Sequence, residues 1–213
     1  MPRPYRQNTY IFPPRPENKI SPASLVKYQT KDFLYEPKMD GSNCEIYMTP
    51  KTFDPKNRHD GPLTTFKLKE KEVLDLFRGS DNMVLNGEYM NKNKKTRLGK
   101  DFNHKFVIFD ILVYNNEHLV GTSFEERYKL LLNLYDVTDY DEYLYQISDN
   151  VFLVKKFENC DLLSLYNDAT KIEMIEGIVI KQKSAKLENG IGKQKNTSKC
   201  QIKCRRETKN YSF

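Results

Sequence analysis

The sequence predicts an α+β domain built on antiparallel sheets, and three observations predict it. Seven short segments alternate apolar and polar residues as half-buried strands do, whereas only three carry helical periodicity. The two kinds do not alternate along the chain as a doubly wound fold requires. With 213 residues, 38% of them hydrophobic and 30% charged, the chain is long enough for a sizeable core and has the balance of a soluble globular protein.

The elements follow in order. The opening MPRPYRQNTYIFPPRPENKIS, residues 1–21, is polar and proline-rich; it reads as an extended arm with Tyr10, Ile11 and Phe12 packed down. Residues 1–8 also fit a disordered tail. The rest, 22–213, is one domain. Its strands are expected at 33–36, 43–48, 83–90, 106–114, 151–154, 177–182 and 200–204. A helix is expected over 69–78, closed by Gly79 at the C′ position. A second, 123–135, opens with Ser123 and Glu126 in capping-box spacing and carries an apolar stripe of Phe124, Tyr128, Leu131 and Tyr135. The third, 161–170, starts at Asp161 as N-cap.

Composition narrows the function classes. Thirty-five Lys and Arg against 29 Asp and Glu leave a net charge of +6, consistent with a polyanionic partner such as nucleic acid. Two loops concentrate the excess: NKNKKTRLGKDFNHK at 91–105 and KQKNTSK at 193–199. Each is either a solvated charge run or a contact surface, and Lys92, Lys94, Lys95 and Arg97 are the candidates for the latter. Cysteines at 44, 160, 200 and 204 have no disulfide-framework spacing, and no secretory signal precedes them; reduced thiols in the cytoplasm are expected. Cys200 and Cys204 lack the second ligand pair that zinc needs. No apolar run approaches the length of a membrane span.

One stretch stands apart, YEPKMDGSN at 35–43. On an extended strand residues 36, 38 and 40 share a face, spaced about 7 Å per pair, and Gly41 lets the backbone turn or approach a ligand. A nucleophilic lysine must lose its proton, and a free lysine has a pKa near about 10.4. Acids beside Lys38 would raise that value, so cations must reach it from elsewhere if it is a nucleophile.

These residues resemble a known family. Lys38-Met39-Asp40-Gly41 is similar to the KxDG motif of the covalent nucleotidyltransferases: ATP-dependent DNA and RNA ligases, NAD-dependent DNA ligases and mRNA capping enzymes. NGEYM at 86–90, FVIFDIL at 106–112, EGIVIK at 176–181 and IKCR at 202–205 resemble that superfamily's later motifs, in its order. The resemblance implies an adenylation domain with an ATP-grasp-like fold. Lys38 would attack the α-phosphorus of ATP, and Glu36 would recognise the adenine edge. Phe106 would stack on the base, although a core phenylalanine fits its apolar strand as well. Glu88 would touch the ribose and help place a metal, Mg²⁺ or Mn²⁺, with Glu176. Asp40, Gly41 and Asn43 would line the nucleotide; Lys181, Lys203 and Arg205 would supply the cations along the phosphates.

Two departures qualify the match. The family's last motif commonly has two lysines, where this chain has Lys203 and Arg205, and guanidinium is not a point charge. Nor does an OB-fold follow Arg205 in the 213 residues, as it does in DNA ligases and capping enzymes. Asn43, five residues after Lys38, is the feature of nick-sealing RNA ligases; DNA ligases typically have Arg there. The expectation is therefore an ATP-dependent RNA ligase of phage type, acting as a monomer on nicked or broken RNA, possibly DNA. The alternatives are a minimal DNA ligase, a capping guanylyltransferase and a non-catalytic nucleic-acid-binding remnant. The superfamily's motif residues are all present, against the last.

Overall fold

The structure, a computed structural model, describes residues 1–192 and 197–208. In chain order its strands are β1 (Arg3–Pro4), β2 (Arg15–Lys19), β3 (Phe33–Met39), β4 (Ser42–Met48), β5 (Phe53–Asn57), β6 (Met83–Met90) and β7 (Lys105–Tyr114). Then follow β8 (Glu117–His118), β9 (Thr138–Asp139), β10 (Leu144–Gln146), β11 (Val151–Val154), β12 (Ile175–Gln182) and β13 (Thr197–Arg205). The helices are α1 (Glu70–Leu74), α2 (Phe124–Leu134) and α3 (Leu162–Ala169), with a 3-10 segment at Pro22–Tyr28.

Among the described residues the strands form two sheets. The larger runs β5-β4-β6-β7-β11-β10-β9, with β8 beside β7 and β1 beside β8; the smaller runs β2-β13-β12-β3. Pairing is antiparallel except at β7–β11 and β13–β2, so the expected class holds with two parallel exceptions. All seven predicted strands are present. Those missed are short or atypical: β5 contains Pro55 and sits on an edge, where a missing donor is tolerated.

Helix α2 forms where the capping box places it, with Ser123 and Glu126 each bonded to the other's backbone. Asp161 caps α3 through Leu163 and Ser164. Helix α1 is shorter than the predicted 69–78. After Leu74 the chain tightens into i→i+3 bonds, Leu76 to Val73 and Phe77 to Leu74. Arg78 folds back onto the carbonyls of Asp75 and Phe77 instead of extending the helix.

Each sheet packs a helix against an apolar face. Ile46, Leu85, Phe106, Ile108 and Ile111 of the large sheet pack with Leu131 and Tyr135, at or beside α2. Tyr35, Ile178, Ile180, Ile202 and Cys204 of the small sheet pack with Leu162, Tyr166 and Ala169 of α3. Each fully buried Leu, Ile or Phe contributes about 1.5–3 kcal/mol through lost water contact. The opposite face of the small sheet carries Glu36, Lys38, Lys181, Lys203 and Arg205, a polar surface that only a cleft can use. In the arm, Tyr5, Tyr10 and Ile11 are buried, and β1 pairs with β8. No helix among the described residues is long and apolar enough to cross a membrane.

Candidate active site

The two sheets are joined where β3 ends and β4 begins, at Asp40-Gly41. A side chain at Gly41 would come within 2.5 Å of the Tyr89 carbonyl and 2.9 Å of Glu88 Cγ, so this tight corner requires glycine. The Gly41 amide donates to Glu88 Oε1 at 3.2 Å. Lys38 therefore emerges from the small sheet directly beside the large one.

Glu176 reaches Lys38 through a β-bulge. Ile175 and Gly177 pair with the consecutive residues Met39 and Lys38, leaving Glu176 as the extra, re-aimed residue. Gly177 is obligatory here, because a Cβ would collide with the Cys204 carbonyl. Glu176 Oε1 contacts Lys38 Nζ, and Oε2 takes Arg205 Nη2 at 2.7 Å. Arg205 lies opposite Gly177 in the ladder. Lys203 lies opposite Val179; burial, then the like charges of Lys38 and Arg205, hold its pKa below the usual lysine value. Glu88 is pushed up to about 7, chiefly by burial, with Lys38 opposing the shift and Glu176 adding to it. Lys38, Glu88, Glu176, Lys203 and Arg205 therefore form one cluster.

A second cluster lies two residues back along β3. Glu36 is buried, its Oε1 bonded to Lys181 at 2.5 Å and its Oε2 to Lys156 at 2.6 Å. This corrects the expectation for Lys181: its ammonium is held at the Glu36 end of the cleft instead of along the phosphates. Lys156 was not anticipated. Burial lowers its pKa to about 8, with Glu36 opposing that shift, and its ammonium lies over the Tyr128 ring at 4.9 Å. Nothing in the sequence distinguishes it from Lys155, which bonds the Asp141 carbonyl at 2.6 Å instead.

Phe106 is a second correction. It is fully buried in the large sheet's core and cannot stack on a ligand. Phe109 lies at the site instead. Gly87 and Asn86 pair with Ile108 and Asp110, so Phe109 is the extra residue of another bulge. It is half-buried, with Lys181 Nζ 5.1 Å from its ring centre. Asp110 beside it is locked by Arg127 at 2.7 and 3.0 Å; burial acts to raise its pKa, but Arg127 wins and holds it low.

Asn43 donates to Asn86 Oδ1 at 2.9 Å and to the Gly87 carbonyl at 3.2 Å, while Asn43 Oδ1 and Asn86 Nδ2 are buried without partners. Asp40 pairs with Lys94 at 2.7 Å; partial burial works against its ionisation, yet Lys94 holds its pKa below the usual range. The basic loop thus divides. Lys92 is exposed and Lys94 joins the site, whereas Lys95 is bound by Asp101, and Arg97 by Glu142 and Asp168 at 2.6 and 2.7 Å. Of the second basic loop, residues 193–196 lie outside the described residues. Arg206, four ångströms (4.0 Å) from Asp40, is anchored on the carbonyls of Thr170 and Glu173.

No cluster of three or more His, Cys, Asp or Glu side chains suited to a metal occurs among the described residues. Glu88 and Glu176, close enough to influence each other's charge, are two carboxylates. That donor set fits Mg²⁺, which is held by one or two carboxylates plus substrate phosphates and waters.

Solved structures share this two-sheet fold. A mycobacterial DNA ligase D complexed with ATP and MES superposes with a TM-score of 0.61 at 14% identity, over 92% of this chain and 60% of that one. A structure from a study of Lig E DNA ligases matches at 0.57 and 15%, over 92% of this chain and 70% of that one. An archaeal ATP-dependent RNA ligase matches at 0.51 and 16%, over 90% and 47%. At these identities the likeness is one of fold. The chain spans about 60% of the length of the DNA ligase D chain. A comparison with the curated proteins finds no match. The chain belongs to the RNA ligase family, whose model matches residues 31–200.

Proposed function

We propose that the chain is an ATP-dependent RNA ligase that joins a 5′-phosphate to a 3′-hydroxyl through a covalent lysyl-AMP. The observation that carries this reading is Lys38 at the inter-sheet corner, in contact with Glu176 and flanked by Lys203 and Arg205. The family and the ligase fold of the structural neighbours support it.

In the first step the Lys38 Nζ lone pair attacks the α-phosphorus of ATP. The bond to the bridging oxygen breaks and pyrophosphate leaves. Glu176 Oε1, in contact with Nζ, is the acceptor at hand for the amine's proton. Lys203 and Arg205 offset charge building on the α-phosphate. Glu88 and Glu176 would hold Mg²⁺ or Mn²⁺, which when bound neutralises phosphate charge. Glu36, held by Lys156 and Lys181, presents the base-reading edge, and Phe109 supplies the stacking surface. In the second step an oxygen of the RNA 5′-phosphate attacks the adenylyl phosphorus, the P–N bond breaks and Lys38 recovers its proton. In the third the 3′-hydroxyl attacks the activated 5′-phosphorus and AMP leaves.

Asn43 is bonded to Asn86 and Gly87, and as the residue that nick-sealing RNA ligases resembling this chain have there, it supports the RNA reading. A DNA ligase is the second reading, favoured by structural neighbours that are named DNA ligases. ATP-dependent sealing of four matched nicked duplexes, with ribose or deoxyribose on either side of the break, separates the two. A requirement for ribose at the 3′-hydroxyl end is expected; equal sealing of an all-DNA nick would transfer the chain to the DNA ligases.

A further inference from the structure

Residues 94–102, between β6 and β7, form a small braced hairpin. Its rungs are Phe102 N–H to the Lys94 carbonyl at 2.7 Å, Thr96 N–H to the Lys100 carbonyl at 2.9 Å and Gly99 N–H to the Thr96 carbonyl at 3.0 Å. The foot is fixed three ways. Phe102 is fully buried; Met174 N–H donates to the Lys95 carbonyl at 3.2 Å; and Lys94 bonds Asp40, two residues from Lys38. Arg97 braces the stem against Glu142 and Asp168. At the apex Leu98 is 80% exposed, beside the exposed Lys100.

A lone exposed leucine is ordinary, but a leucine held out on a stem tied to the catalytic corner is not placed by packing. We propose that this hairpin docks in the minor groove of an A-form duplex, with Leu98 seated against riboses and base edges and Lys92 and Lys100 on the flanking phosphates. The proposal rests on the ligase reading for why a duplex lies in the cleft. Four residues separate Lys94 from Leu98, a reach of at most about 13 Å at about 3.3 Å per residue. Leu98 therefore contacts the duplex no more than about 13 Å beyond the Lys94 backbone. Groove shape selects the duplex. The A-form minor groove is wide and shallow and displays 2′-hydroxyls. The minor groove of B-DNA, about 6 Å wide, is too narrow for two strands about 4.8 Å apart with their side chains. Apolar side chains are the groups that minor-groove proteins press against base steps.

The test uses the full chain and a nicked RNA duplex carrying 2-aminopurine at successive positions beside the break. Binding and fluorescence are read without ATP, so they do not depend on lysyl-AMP formation. Leu98→Asp is expected to weaken binding about tenfold or more and Leu98→Ala about threefold, with Leu98→Met near wild type. The wild-type fluorescence change should disappear in Leu98→Asp, while its lysyl-AMP formation stays within about twofold of wild type. Unchanged RNA binding by Leu98→Asp would overturn the docking surface. An equal loss on an all-DNA nick of the same sequence would overturn the A-form assignment. A wild-type chain that forms no lysyl-AMP would instead sink the ligase reading, a result distinct from either.

Discussion

Two carboxylates of the small sheet each hold one cation on either oxygen, and they do so in opposite surroundings. Around Glu36 the side chains of Lys156, Lys181 and Glu36 are 2–4% exposed; around Glu176, those of Lys38, Arg205 and Glu176 are 12–28% exposed. In the dry cluster, losing a partner leaves a charge in a poorly screening interior. In the wetter one, water and incoming phosphates can replace either partner at small cost. The difference separates two tasks. The Glu36 end is a fixed template suited to reading a base. On the proposed reading, the Glu176 end is a latch that ATP would open, drawing Lys38 and Arg205 onto its phosphates.

The comparison breaks most readily at Lys38. Lys38→Ala should lose at least about a thousandfold in covalently protein-bound label from radioactive ATP, and Glu176→Ala and Lys203→Ala about a hundredfold or more. Stability of all three should stay within about 1 kcal/mol of wild type in urea, because their ion pairs are partly solvated. Full labelling of Lys38→Ala would end the lysyl-AMP mechanism.

The buried end should show the reverse balance. Glu36→Gln strands two buried ammonium groups and should cost about 3–5 kcal/mol. Lys156→Met leaves Glu36 with Lys181 and should cost about 1–3 kcal/mol. Urea midpoints compare them, and losses no greater than those of Lys203→Ala would erase the distinction between the two ends. The two phenylalanines sharpen it further. Phe106→Ala should cost about 3–5 kcal/mol of stability, with little effect on KM for ATP. Phe109→Ala should raise that KM about tenfold, the loss of roughly one stacking contact, with little effect on stability. A swap of these outcomes would restore Phe106 to the site.

Much of this was legible beforehand. Lys38-Met39-Asp40-Gly41 marks a strand ending in a sharp turn, and Lys38, Glu88, Glu176 and Lys203 do converge. What escaped lies where strand periodicity is broken or does not reach. Strand periodicity assigns faces only while the register is unbroken, and a bulge shifts it by one. Bulges at Phe109 and Glu176 re-aim both side chains, and apolar alternation does not disclose them. Glu176 was found only because EGIVIK carries a motif; Phe109 was passed over for Phe106. Lys156 follows β11 in a loop, where no period applies, and Lys155 next to it is chemically identical. Lys181 is on the expected face but reaches diagonally to Glu36, a direction that ladder position alone leaves open.

A pH series isolates the dry cluster. The Lys156 pKa lies near about 8 in the folded chain, against about 10.4 when unfolded. Between those values the unfolded state binds the extra proton, so raising pH favours the folded state. Unfolding free energy of wild type minus that of Lys156→Met should therefore climb from pH 8 toward 10.4 and stay flat below about 8. Taking the difference removes the tyrosines and solvated lysines that titrate in the same range. A flat difference across the window would mean that Lys156 stays charged there, its pair with Glu36 outweighing desolvation. Burial would then be the only distinction left between the two clusters.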